Sequence, residues 1–219
     1  MKPPIEVQQL CEEYLTRVRR STEYQLTDQD RLELYLKFGY SRILSGIGPV
    51  SLPDYTNADI ALCWLALLTA KKVAFICKRG PDDYEVREID EVREILKTAE
   101  GYLNGRIMRE QAEKVLDDYW YFFRPHLTCD VYKAWATSLS ILEFIVYGIQ
   151  TRKEISGFDT FVLESLEAFT VIDRNLPGEW DSEEPPIPME YNIEKRLGFW
   201  EWWLSEALPQ AWEMMNEPA

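Results

Sequence analysis

From Arg87 to Gly148 apolar residues return every three or four positions, interrupted only by Gly101-Tyr102-Leu103-Asn104-Gly105 and by Pro125. That spacing is the signature of amphipathic helices, each with one face to bury. Ile89, Val92, Ile95, Leu96, Ala99, Tyr102 and Leu103 form the first stripe. Gly105 suits a left-handed helix C-terminus, because only glycine takes that conformation without steric cost. Arg106-Ile107-Met108 leads into a second helix with Ala112, Val115, Leu116, Tyr119, Phe122 and Phe123 inside, stopped by Pro125. The third helix buries Val131, Trp135, Ala136, Leu139, Leu142, Ile145, Val146 and Ile149. Short loops between consecutive helices require antiparallel packing.

The flanking chain reads the same way. Pro3-Pro4 opens a helix to about Arg20, with Val7, Leu10, Cys11, Tyr14, Leu15 and Val18 on one face. Thr27 starts a second helix, expected to reach about Ser45 with Leu32, Tyr35, Leu36, Gly39, Ile43 and Leu44 inside. Gly39 lets another backbone approach closely, if it faces inward, or weakens the helix locally. Gly46-Ile47-Gly48-Pro49 to Tyr55 is loop; it lacks the preceding strand and the Lys-Ser/Thr that a phosphate loop needs. Thr56 or Asn57 caps a helix to Lys72 that is apolar on nearly every side, which makes it the most buried of the chain. Val73 to Val86 reads as helix continuation or as a small hairpin, and helix is favoured because two three-residue strands make a poor sheet. Gly157-Phe158-Asp159 precedes a helix to about Arg174. Residues 176–190 carry four Pro and five acidic residues with no base, and read as a Pro-rich acidic loop. The last helix, about Tyr191 to Met215, should be kinked or restarted by Pro209. The expectation is one all-α domain over 1–219, an antiparallel helical bundle of about seven to nine helices.

Charge limits the partners. The chain holds 38 acidic and 24 basic residues, a net −14, so phosphate backbones and anionic membrane surfaces are repelled. The longest apolar run, Ile60 to Ala70, falls short of the roughly 20 residues of a membrane span. No apolar leader opens at Met1-Lys2-Pro3-Pro4. A soluble cytoplasmic protein binding neither nucleic acid nor membrane is expected. Cys11, Cys63, Cys77 and Cys129 lack CxxC spacing and read as reduced core thiols.

Candidate chemistry is sparse. His126 and Cys129 could share a helix face as metal ligands, but Pro125 breaks the helix there and no second pair completes a site. No catalytic residue, cofactor or metal is expected. Adjacent acids such as Asp117 and Asp118 normally face solvent together; they draw notice only because Tyr119-Trp120-Tyr121-Phe122-Phe123 follows. The carboxyl-terminal quarter stands out more. Residues 176–219 hold ten acids and two bases, −8 of the −14, together with Trp180, Trp200, Trp202, Trp203 and Trp212. Trp200, Trp203 and Trp212 can share a buried face, which leaves Trp180 and Trp202 to point elsewhere. Exposed aromatic anchors among like charges are how interfaces with oppositely charged proteins gain affinity and speed. Trp180, Trp202, Tyr121, Glu183 and Glu184 are therefore the candidate partner-binding residues.

The segment 96–112, Leu-Lys-Thr-Ala-Glu-Gly-Tyr-Leu-Asn-Gly-Arg-Ile-Met-Arg-Glu-Gln-Ala, resembles a helix-turn-helix stretch of certain all-helical immunity proteins of bacterial toxin systems. The shared pattern is an apolar helix ending in Tyr102-Leu103-x-Gly105, then Ile107, then a second helix with Ala112. The resemblance is confined to this central segment and implies an all-helical inhibitor of a protein toxin, with no individual site residue carried over. The expected function is a non-enzymatic protein-binding protein, in its sharpest form an immunity-type inhibitor of a basic partner. Two alternatives stand beside it: an enzyme or small-ligand binder with a pocket among aromatic helices using Asp117, Asp118 or Tyr121, and a structural homodimer.

Overall fold

The computed structural model describes residues 2–39, 55–78, 83–120, 129–147, 155–170 and 191–215, without the side chains of 78, 83–88, 120, 129–130 and 155–161. The fold is all-α, and every regular element among these residues is a helix.

Helix α1 spans Ile5–Arg20 and α2 spans Asp28–Lys37. In α1, Val7, Cys11, Tyr14 and Val18 are buried and Arg17, Arg19 and Arg20 sit in the last turn, where the helix dipole favours cations. Thr27 begins α2 with a capping box: its side chain accepts from the Asp30 N–H while Asp30 accepts from the Thr27 N–H. Tyr14–Glu33 and Arg17–Asp30 contacts, at 2.7 and 2.8 Å, set the two helices antiparallel.

Helix α2 corrects the expectation in two respects. It ends at Lys37, because Gly39 adopts φ +94° and donates its N–H to the Leu36 carbonyl. That left-handed glycine closes the helix, and residues 40–54, including Ile43 and Leu44, lie outside the described residues. The buried face is Asp30, Arg31, Leu34, Tyr35 and Phe38, while Leu36 is 39% exposed. Tyr35 is buried as expected and Leu32 is half-buried, whereas the Phe38 ring is buried in place of Leu36 and Arg31 is drawn in with it.

Helix α3, Asn57–Val73, is capped by Thr56 through a second capping box with Asp59, and a 3-10 turn over Ala74–Lys78 continues it. The helical reading of 73–78 thus holds over the hairpin. Ala61 through Leu67 are all buried, as its all-round apolarity demands. By length and composition Asn57–Cys77 is apolar enough to cross a membrane, since the lysines at 71 and 72 do not end its helix; 67% of it is buried inside the fold.

The central unit is α4 (Asp83–Leu103), α5 (Arg109–Trp120) and α6 (Cys129–Tyr147). Ile89, Val92, Ile95, Leu96, Ala99 and Tyr102 are all buried, matching the stripe. The α4–α5 turn is a Schellman motif: Arg106 N–H bonds the Gly101 carbonyl at 2.8 Å and Gly105 N–H bonds the Tyr102 carbonyl at 3.0 Å, with Gly105 at φ +65°. Gly101 has its own reason, since a Cβ there would stand 2.5 Å from Ile107 Cδ1. In α5, Ala112 and Leu116 are buried while Val115 and Tyr119 are half-buried. Tyr119 donates to Glu94 at 2.6 Å, which fixes α5 antiparallel to α4. Phe122, Phe123, Pro125 and Ile149 lie outside the described residues.

Helix α6 packs on α3, α4, α5 and α7 (Ile155–Thr170). Tyr55 reaches its last turn and donates to the Phe144 and Ile145 carbonyls. Helix α7 starts at Ile155, ahead of the expected point, and passes through Gly157. A glycine is tolerated there because the first turn has no intrahelical N–H bonds to lose. Lys133–Glu167 and Thr137–Glu164 contacts run α7 antiparallel to α6.

The final helix has three parts: α8 (Ile193–Trp202), a π-helical turn (Trp203–Ala207) and α9 (Leu208–Met215). The expected break at Pro209 takes the form of this π turn. Proline has no N–H for the Ser205 carbonyl and its ring crowds that oxygen, so the preceding turn widens and Leu208 N–H reaches back to Trp203 O. The buried apolar residues of all these helices form one core cluster.

Candidate protein-contact surface

Asn192 positions the final helix. Its side chain accepts from the Lys195 N–H at 2.9 Å, and its own N–H bonds the Thr170 carbonyl at 2.8 Å, joining the end of α7 to the start of α8. Helical rotation then turns Phe199, Trp200, Trp203 and Leu204 inward, all of them buried. Trp203 Nε1–H donates to Thr69 Oγ1 at 3.3 Å, and Thr69 in turn donates to the Leu65 carbonyl. Trp200 stacks edge-on against Phe199 and Trp203, with the Arg31 guanidinium 5.7 Å from its ring centre. Trp212, grouped with these in the sequence pattern, is half-buried with its ring 4.9 Å from Phe38.

Trp202 falls at the edge of that inward face and is half-buried. One side rests on Phe199, centroids 5.8 Å apart, and the Lys72 ammonium lies 4.6 Å over its ring. The same ammonium is 5.9 Å from the Phe169 ring. Glu201, beside Trp202, pairs with Arg19 of α1 at 2.8 Å. The outward face of the final helix presents Glu194, Lys195, Gly198, Ser205, Glu206, Gln210 and Glu213. The result is an aromatic ring on a helix edge beside a predominantly acidic face. Trp180, Tyr121, Glu183 and Glu184 lie outside the described residues.

The other candidates separate cleanly. Asp117 and Asp118 are both exposed on α5. The Tyr119 phenol is raised above its ordinary value, first by burial and then by its bond to Glu94. Glu91 is buried and accepts from Trp135 Nε1–H at 3.3 Å. His126 lies outside the described residues, and Cys129 opens α6 without a described side chain. Cys11, Cys63 and Cys77 are buried thiols outside any disulfide. Burial, assisted by Glu12, pushes the Cys11 thiol up to about 12, and burial with Asp59 pushes Cys63 upward too. Thiols held neutral in this way are core side chains rather than nucleophiles. Among the described residues no three His, Cys, Asp or Glu side chains converge as a metal site.

Two features escaped the sequence. Arg31 is fully buried, its guanidinium donating to the Leu26 carbonyl at 2.5 Å and to Asp28 at 2.7 Å. Its spacing from Leu34, Tyr35 and Phe38 was the available signal, hidden by the charge. The second is a polar seam between α6 and α7, where burial raises the Glu164 carboxyl despite the neighbouring Lys133 and Thr137.

No protein-family model matches the chain, and no curated protein matches it at a significant level.

Proposed function

We propose that this is a non-enzymatic protein-binding protein, of the immunity type that inhibits a basic partner, with the final helix and the acidic segment before it as the contact surface. The observation that carries the reading is Trp202: a half-buried indole on a helix edge, seated between Phe199 and Lys72, beside an outward face bearing Glu194, Glu206 and Glu213. A ring held in one orientation loses little conformational freedom on binding, and surrounding like charge steers an opposite partner. The concentration of ten acids against two bases in 176–219 supports a basic partner. The resemblance of 96–112 to toxin-immunity proteins supports the inhibitor form.

The test is affinity capture from lysate at low and high salt. The expected result is a basic protein held at low salt, released as salt rises, and captured less by Trp180→Ala and Trp202→Ala chains that retain native helicity. Capture of no protein at low salt would sink the proposal. A toxin gene adjacent to the one encoding this chain would identify the partner to try first.

A further inference from the structure

We draw no further inference here: the strongest candidate, the polar seam of Lys133, Thr137, Glu164 and Glu167 between α6 and α7, carries nothing because only the titration of Glu164 sets it apart from an ordinary interhelical ion pair.

Discussion

Arg31 shows how a charge can belong to a core. Removing a guanidinium from water is costly unless its donors are bonded, and here the Leu26 carbonyl and the Asp28 carboxylate take them while the Trp200 ring receives the cation's face. Asp28 is itself 89% exposed, so the pair is anchored at the solvent boundary rather than sealed inside. Arg31→Ala removes the packing on Trp200 and leaves the Leu26 carbonyl without this donor. The expected loss is about 2–4 kcal/mol in denaturant unfolding. Arg31→Lys should recover only part of it, since an ammonium lacks the planar fork. A loss below roughly 0.5 kcal/mol, the level of an ordinary surface change, would show the site to be a surface position. Glu164 gives a second residue-scale expectation, with a defined sign. Its folded carboxyl titrates above the unfolded one because burial disfavours the charge. The protonated form is therefore favoured by folding: its stabilisation is complete below the unfolded carboxylate range and is lost as pH rises through the raised folded value. Glu164→Gln keeps a neutral group at all pH values. It should stabilise the chain at neutral pH relative to the parent, with the gain shrinking toward acid. Melting temperatures measured across that range check this, and a variant offset independent of pH would contradict it.

At the level of elements, local chemistry was the readable part. Thr27 and Thr56 cap through boxes closed by Asp30 and Asp59, and Gly105 ends α4 in the left-handed conformation expected of it. These signals depend on residues within one turn of each other, so a single sequence contains them whole. What the pattern missed depends on distant partners or on competition between faces. The inner face of α2 was set by which side could bury Tyr35 and Phe38 against Trp203 and Trp212, residues at the far end of the chain. Sequence leaves Gly39 open between close backbone approach and a local weakening of the helix, and its φ of +94° makes it a terminator. Proline at 209 announced a break, but the choice of a π turn over a kink follows from keeping Trp203, Leu204, Ala207 and Leu208 all buried. The α4–α5 turn supplies the test at this scale. Nothing stands within 4 Å of a Cβ added at Gly105, so Gly105→Ala carries backbone strain alone, about 1–2 kcal/mol. Gly105→Asn should cost less, because asparagine tolerates the left-handed region. Equal losses in the two unfolding curves would mean that the turn relaxes out of the Schellman geometry.

For the molecule as a whole, the helical bundle follows from periodicity, and the proposed contact surface is only partly written in it. Periodicity places Trp202 off the face shared by Trp200 and Trp203, yet nothing near it in sequence indicates that Lys72, from another helix, comes to lie over its ring. That placement gives the proposed interface its testable separation of stability from binding. Trp203 is fully buried and bonded to Thr69, so Trp203→Ala should cost about 3–5 kcal/mol and remove binding by unfolding the helix's seat. Trp202→Ala loses the contacts of a half-buried ring at the helix edge and should cost about 1–2 kcal/mol, leaving the native fold. If Trp202 anchors a partner, its variant should lose partner capture while remaining folded by circular dichroism and unfolding as a single cooperative transition. Glu206→Lys with Glu213→Lys, on the same outward face, should instead slow association and flatten its salt dependence, because exposed charges act mainly through steering. Trp202→Ala capturing the partner as well as the parent chain would move the interface elsewhere on the bundle. Loss of capture by Trp202→Ala with no effect of either lysine substitution would keep the aromatic anchor and remove the requirement that the partner be basic.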